Sequence, residues 1–314
     1  MASDNPRFTI LIPVVKTRYF QEAIESALAQ NFQDYEIVVV DNKADGDLST
    51  WAEKPRVRLF HNETQLAPAP NWNKGIEHSR GDYIVLLCDD DILAPECLAE
   101  LDAFLKGRGE GLDVVRFLRK EFGREKLAIA YSCPGKELET VDEYVYFQFR
   151  FFRGQALSDF AFSRKSALEI GGFPSMPGCL ASDKSFVIRL ASRQNKIGNL
   201  NLPLLNYRWH GMNYTNVRRP GLYEDSLDSD FFLYNLVNQL LEKSSGDCRG
   251  LALAENRRHW QVRQNSHFND ALRSFGWRGL IRIWRHAPDS PASKTKSFWL
   301  AVANKARRFL KRKK

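Results

Sequence analysis

Three consecutive carboxylates, Asp89-Asp90-Asp91, directly follow the apolar run Tyr83-Ile-Val-Leu-Leu87-Cys88. At the end of a buried strand such groups repel one another and lose solvation, and a bound divalent cation offsets that cost. Hard cations such as Mg²⁺ and Mn²⁺ take oxygen ligands, commonly one or two carboxylates together with substrate phosphates. A metal held there would act as a Lewis acid on a diphosphate leaving group. The competing reading is a polar loop in which Asp91 caps a helix starting after it. A fourth carboxylate, Asp183 in Ser182-Asp183-Lys184, is either a helix cap or a general base. His210 follows Tyr207-Arg208-Trp209 and is either an ordinary histidine or a ligand. Asp41, at the end of Glu36-Ile-Val-Val-Val40, is either a strand-end turn residue or a ligand contact. Cys88 reads as a small buried residue.

These side chains need a frame. Phe8 to Ile12, closed by Pro13, is an apolar run that suits a strand buried on both faces of a parallel sheet. Helical spacing follows over Phe20 to Gln30, then β-branched Glu36 to Val40, then a third strand at Val57 to His61. A Pro-containing loop at Leu66 to Pro70 leads to a helix over Asn71 to Ser79 and a strand over Tyr83 to Leu87. This alternation predicts an α/β fold with a doubly wound, mostly parallel sheet. Further on, Phe160 to Ser163 predicts a strand and Arg164 to Ile170 a short helix closed by Gly171-Gly172. A helix over Leu180 to Ser192 and an extended stretch over Pro203 to Trp209 follow, and beyond about residue 220 the pattern is helical. No internal repeat is present.

The 314 residues suit one large α/β domain with an appendage, or two small domains. No apolar stretch reaches the ~20 residues of a membrane span, and Met1 to Arg7 lacks a signal-peptide core. Five scattered cysteines without a CxxC pair argue against a disulfide framework or a zinc site and predict a cytoplasmic protein. The net charge of +8 is concentrated in Ser290 to Lys314, which carries nine Lys or Arg and no acid. The rest is nearly neutral, which argues against a nucleic-acid-coating body.

Five segments resemble the motifs of family 2 glycosyltransferases with the GT-A fold, in the family's order, over roughly residues 7 to 216. TILIPVVKTRYFQEAIESALAQNFQDYEIVVVDN is similar to the first nucleotide-binding half, and NWNKGIEHSRGDYIVLLCDDD to the Asn-rich helix, strand and DxD motif. SRKSALEIGGF resembles the Gly-Gly-Phe segment, ASDKSFVIRLAS the catalytic-base helix, and LPLLNYRWHGMN the closing Tyr-Arg-x-His segment. The resemblance implies inverting, metal-dependent transfer of a single sugar from a nucleotide-sugar, with UDP favoured, and with Mn²⁺ or Mg²⁺ as cofactor. It implies that Pro13, Val14 and Val15 wrap the base through backbone groups, that Asp41 hydrogen-bonds the base and that Asn73 holds the nucleotide side in shape. Asp89 would sit nearest the ribose, Asp90 and Asp91 would hold metal and diphosphate with His210 near them, and Arg208 would add positive charge at the diphosphate. Asp183 would be the general base. The chain departs from the family pattern at Lys16, Asn42 and Ser182, and Leu205 replaces the Gln of the processive Gln-x-x-Arg-Trp motif, which favours single-sugar transfer. Other readings weighed are a non-catalytic nucleotide- or carbohydrate-binding protein on this fold and a sugar nucleotidyltransferase. The second would need a Gly-rich loop after the first strand, and Pro13 to Thr17 has no glycine.

These motifs place a GT-A catalytic domain at residues 1–220, with a nucleotide-binding half at about 7–105 and an acceptor half at about 106–220. A helical extension occupies 221–314. In it Trp277, Leu280, Ile281 and Trp284 fall at i, i+3, i+4, i+7 with Arg278, Arg282 and Arg285 between them. Phe298, Trp299, Val302, Ala306 and Leu310 suggest a second stripe ahead of Lys311 to Lys314. Basic amphipathic helices with Trp on the apolar face suit an anionic bilayer surface, so the tail is expected to hold the protein peripherally on the cytoplasmic face of the membrane. That fits a saccharide or lipid-linked saccharide acceptor in surface polysaccharide or glycolipid biosynthesis. Packing of these Trp residues on the catalytic domain, with a solvated tail, is the alternative. No nucleic-acid partner is expected, and the oligomeric state is not legible.

Overall fold

The computed structural model describes residues 5–108, 111–123, 130–151, 153–176, 179–210, 222–287 and 291–311. Strands β1 (Phe8–Val14), β2 (Tyr35–Asp41), β3 (Val57–His61) and β4 (Tyr83–Leu86) pair in parallel in the order β3-β2-β1-β4. Side chains alternate across a strand, so each apolar run feeds two layers. Phe8, Ile10, Ile12 and Val14 join the layer of helices α1 (Phe20–Leu28) and α3 (Cys97–Arg108). Leu11 joins the opposite layer, with α2 (Pro68–His78). Helix α2 starts ahead of the expected Asn71 because Pro68 occupies its first turn, where a fixed φ and a missing N–H cost nothing. It lies tight on β1: a Cβ at Gly75 would sit 2.3 Å from Leu11 Cδ1.

The second half makes the sheet mixed. Strand β9 (Phe160–Ser163) runs antiparallel between β4 and β6 (Val114–Phe122). Strand β10 (Ile197–Arg208) is parallel to β6, and β5 (Ile92–Leu93) pairs antiparallel with β10. Short β7 (Ala130–Tyr131) and β8 (Leu138–Glu139) add to β6 and β10. Helices α4 (Val141–Arg150), α5 (Arg164–Glu169) and α6 (Ser182–Gln194) follow in this half. A capping box between Thr140 and Glu143 starts α4. Helix α5 ends at Gly171 and Gly172, both with positive φ (76° and 72°).

The extension consists of α7 (Leu222–Glu242), α8 (Arg249–His286) and α9 (Pro291–Lys311). Its first part belongs to the catalytic domain's core, because Leu233, Val237, Leu241 and Ala252 pack in the layer of α4 and α6. Farther out, Leu227, Trp260, Phe268, Leu272, Leu280, Ile283 and Ala301 form a separate core. Helix α8 is broken at Gly276 (φ 61°, ψ −148°), a conformation in practice confined to glycine. All four residues of the expected apolar stripe lie beyond the break in one continuous helical segment, and the buried face takes only part of that stripe. Leu280 is buried and Trp284 packs against Phe298, but Trp277 and Ile281 are 51% and 41% exposed, and Ile283 takes the inner face. In the second stripe Trp299 is exposed, while Ala306, Leu310 and the basic end have side chains outside the described residues. Among the described residues no helix is long and apolar enough to cross a membrane.

Candidate active site

The site forms where β1, β4 and β10 end together. Leu87 N–H donates to Leu11 O and carries the chain from β4 into the acidic run beside the loop after β1. Asp89 Oδ2 accepts from the backbone N–H of Val15 (2.9 Å) and Lys16 (3.0 Å). Burial pushes its pKa up to about 6, with those two N–H groups opposing the rise. Asp91 is buried: its Oδ1 accepts from Arg208 N–H (3.0 Å) and its Oδ2 from Ser158 Oγ–H (2.8 Å). Burial, then the neighbouring Asp90 charge, raise the Asp91 pKa well above the usual carboxylate value. It caps no helix, since β5 follows it directly.

Pairing of Leu205 with Leu93 and of Asn206 with Ile92 delivers the end of β10 to this place. There His210 Nε2 meets Asp90 Oδ2 at 2.8 Å, and Arg208 Nε donates to Asp90 O at 3.0 Å. The Arg208 guanidinium also donates to Glu22 (2.7 Å) and lies 4.3 Å from the Tyr19 ring and 4.6 Å from that of Phe122. The His210 ring is 5.2 Å from Tyr19.

The donor set suits a hard cation. Donor atoms of Cys88, Asp90 and Asp91 lie within 4.8 Å of one another. Burial raises the Cys88 thiol, so it keeps its proton and the oxygens are the better ligands. Each Asp91 oxygen accepts one hydrogen bond and has a second lone pair. Within this group Asp90 and Asp91 are the residues able to hold such an ion, and His210 reaches it through its contact with Asp90.

Asp183 lies in the first turn of α6, but Ala181, in the left-handed region (φ 62°), holds the N-cap position without a side-chain cap bond. Burial raises the Asp183 pKa, opposed by the Lys184 charge and then by the Lys184 N–H. Ser182 Oγ–H donating to Pro174 O (3.0 Å) and Phe186 stacked on Phe173 (3.8 Å) fix the start of this helix.

On the nucleotide side, Pro13 and Val14 are buried in β1, and Val14 O accepts from Asn42 N–H (2.9 Å), so of this trio only Val15 stands beyond the strand. Asp41 Oδ1 accepts from Ala44 N–H (2.7 Å) and its Oδ2 lies 2.9 Å from His61 Nδ1. Asn42, where a second Asp is common, is buried and bonded to Leu66 and Asn62. Asn73 makes two bonds to the backbone of Phe173, donating to its O (3.0 Å) and accepting from its N–H (2.8 Å). It therefore clamps the Gly-Gly-Phe segment of the second half onto α2.

Residues 9–159 match the family described as Glycosyl transferase family 2. Over that segment, just under half of its length, the chain is similar to this family. An uncharacterized glycosyltransferase of Haemophilus influenzae is 33% identical over 99 residues, 30% of this chain and 40% of that protein. The GalNAc(5)-diNAcBac-PP-undecaprenol beta-1,3-glucosyltransferase of Campylobacter jejuni is 27% identical over 210 residues, 61% of this chain and 65% of that one. The chain spans 40%, 16% and 33% of the length of three curated glycosyltransferases it matches. The structure of S. aureus TarS in complex with UDP-GlcNAc superposes with a TM-score of 0.67 at 13% identity, covering 96% of this chain and 92% of that one. The mannosyltransferase PcManGT of Pyrobaculum calidifontis, in complex with GDP-Man and Mn²⁺, superposes with a TM-score of 0.53 at 15% identity, covering 96% and 87%. At such identities these likenesses concern the fold.

Several residues of this site escape sequence reasoning. Ser158 links two members of the acidic run, donating to Asp91 and accepting from Cys88 N–H (3.0 Å). Arg119 lies almost fully buried in β6, donating to Asp159 Oδ2 (2.7 Å), Gly154 O (3.0 Å) and Glu121 (3.2 Å), with its guanidinium 5.6 Å from the Tyr207 ring. Its charge lowers the pKa of both Asp91 and Asp183. The available signal was Arg116 and Arg119 inside the otherwise apolar run Val114-Val-Arg-Phe-Leu-Arg119, where an unpaired charge is costly. Ser158 and Tyr19 offer no comparable signal, because folding alone brings them to the strand ends.

Proposed function

We propose that the protein transfers a single sugar from a nucleotide-sugar, a UDP-sugar by preference, to an acceptor hydroxyl with inversion at the anomeric carbon. The observation that carries this is the meeting of Asp90 with His210 and of Asp91 with Arg208, from opposite ends of the catalytic domain's sequence, at the carboxyl ends of the strands. In open α/β sheets that is where ligands bind. Asp90, Asp91 and His210 would hold Mn²⁺ or Mg²⁺, and the ion when bound supplies charge neutralisation to the diphosphate. Arg208 adds a fixed positive charge beside it. Asp183 takes the acceptor hydroxyl proton as the acceptor oxygen bonds to the anomeric carbon and the bond from that carbon to the diphosphate oxygen breaks. The products are the lengthened acceptor and a nucleoside diphosphate. The acceptor we favour is a saccharide or lipid-linked saccharide of a surface polysaccharide or glycolipid, reached from the cytoplasmic membrane surface through the basic extension.

A thermal-shift screen against nucleotide-sugars with and without Mn²⁺ tests the donor side, because a ligand that binds the folded state raises Tm. We expect a UDP-sugar to raise Tm with metal present, and His210→Ala to weaken the metal-dependent part. Nucleotide binding indifferent to chelator would sink the metal assignment. An NMR reading of the product anomer that shows retention would sink the single displacement.

A further inference from the structure

The break at Gly276 swings the last turns of α8 over the start of α7 and opens a cleft of about 590 Å³ lined by Glu224, Arg278, Ile281, Arg282, Arg285 and His286. Three guanidiniums face one carboxylate there. Arg282 pairs with Glu224, and His286 lies 2.9 Å from Asp228. Arg278 and Arg285 are exposed and have no ion-pair partner among the described residues. Like charges gathered in this way cost energy that an anion of matching geometry recovers, and paired guanidiniums suit phosphate oxygens. The rim is apolar: Phe275 is 55% exposed, Trp277 51% and Ile281 41%. Lys305 of α9 stands 5.9 Å from the Trp277 ring, and Trp299, 62% exposed, is presented by the same helix. Arginines with Trp277 and Lys305 beside them match the headgroup level of a bilayer, with charge for phosphate and a ring for the acyl boundary.

We infer that this cleft binds the phosphate headgroup of anionic phospholipids and seats the extension on a membrane surface, with Arg278 and Arg285 as the principal contacts. The inference rests on the proposed membrane association and moves its centre from the basic end of the chain to the cleft. Sequence alone drew the apolar stripe through Trp277, Leu280, Ile281 and Trp284, and of these Leu280 and Trp284 are turned inward. What faces outward is the edge of Phe275, Trp277 and Ile281, beside the unpaired arginines.

The full chain would be co-sedimented with phosphatidylcholine vesicles and with vesicles that also contain phosphatidylglycerol. We expect binding to the anionic vesicles, reduced roughly tenfold or more in Arg278→Gln/Arg285→Gln, since each basic residue near such a surface contributes about one factor of five to ten. Both side chains are exposed, so the variant should keep the wild-type Tm. Trp277→Ser should weaken binding while leaving the preference for anionic vesicles. A second variant, with Lys311, Arg312, Lys313 and Lys314 all changed to Gln, should keep most of the binding. If that variant loses binding and the double-arginine variant keeps it, the cleft is wrong and the membrane association stands. If wild type ignores both vesicles, the inference fails while transfer to a soluble acceptor, assayed separately, still reports on the catalytic reading. Displacement by inorganic phosphate as effective as by lipid would assign the cleft to a free anion and overturn the lipid source.

Discussion

The two halves of the sheet solve different problems. Strands β1 and β2 are mostly apolar, with buried charge confined to Glu36 near their start, bonded to Thr9 and Arg58, and the polar groups of the site gather at their tips, at Asp41 and in the loop bonded to Asp89. The second half carries charge inside. Arg116, Arg119, Glu139, Arg153 and Asp159 are all buried, with Arg119 bonded to Asp159 and Arg153 bonded to both oxygens of Glu139 (2.9 and 3.0 Å). In the first half, chemistry can vary at the strand ends while the core stays the same. In the second, groups that shape the site also hold the fold, so stability and activity should fail together there.

Asp183 should be the exception, because, although burial raises its pKa, no other side chain hydrogen-bonds it among the described residues. Asp183→Asn should lower kcat by about a hundred- to ten-thousandfold, with Tm and nucleotide-sugar affinity near wild type. Transfer at the wild-type rate would remove it as the base. Arg119→Met should act the other way, costing about 3–5 kcal/mol of stability by leaving Asp159 buried without its partner. Urea unfolding reads that loss, and an unchanged midpoint would mean that the interior charges do not hold this half together.

The seam between the halves comes next in size. Asn73→Ala removes both bonds to Phe173 and leaves that backbone unsatisfied, a loss of about 1–3 kcal/mol in urea unfolding. Gly172→Ala attacks the same contact from the other side. Its φ is +72° and the added Cβ would fall 2.2 Å from Asn73 Oδ1. The two changes share one contact, so the double variant should lose less than the sum of the singles. Full additivity would show the clamp to be two unrelated features.

What could be read in advance follows the same division. Strands β1, β2 and β4 came out of largely apolar runs because both faces are buried, while β3, with only Val57 buried, and β9 match their expected bounds. The meeting of the acidic run with Tyr207 to His210 was legible only through motif order, since a register between β5 and β10 creates it. The interior of residues 114–159 was not legible. Its charges pair across strands and loops far apart in sequence, as Arg119 does with Asp159, and a local pattern cannot announce the partner. The stripe on α8 was legible only in part: Leu280 and Trp284 pack inward with Ile283, while Trp277 and Ile281 stay at the solvent edge, and spacing alone does not say how wide the buried face is.

The gentlest way to separate the halves is pH. Burial raises Asp183, so it stays protonated at a pH where an exposed aspartate is already ionised. A base must be ionised to accept a proton, so kcat should climb with pH through a value above the ordinary ~4 of an aspartate. Asp89, raised to about 6, is bonded to the backbone of Val15 and Lys16 beyond β1, and in the proposed mechanism it takes no proton from the acceptor hydroxyl. Asp89→Asn should therefore change the donor KM and leave the acid limb of kcat where it was. Asp183→Asn should abolish that limb along with most of the rate. If Asp89→Asn shifts the kcat limb instead, the titrating group belongs to the nucleotide half, and the division of labour drawn between the two halves is wrong.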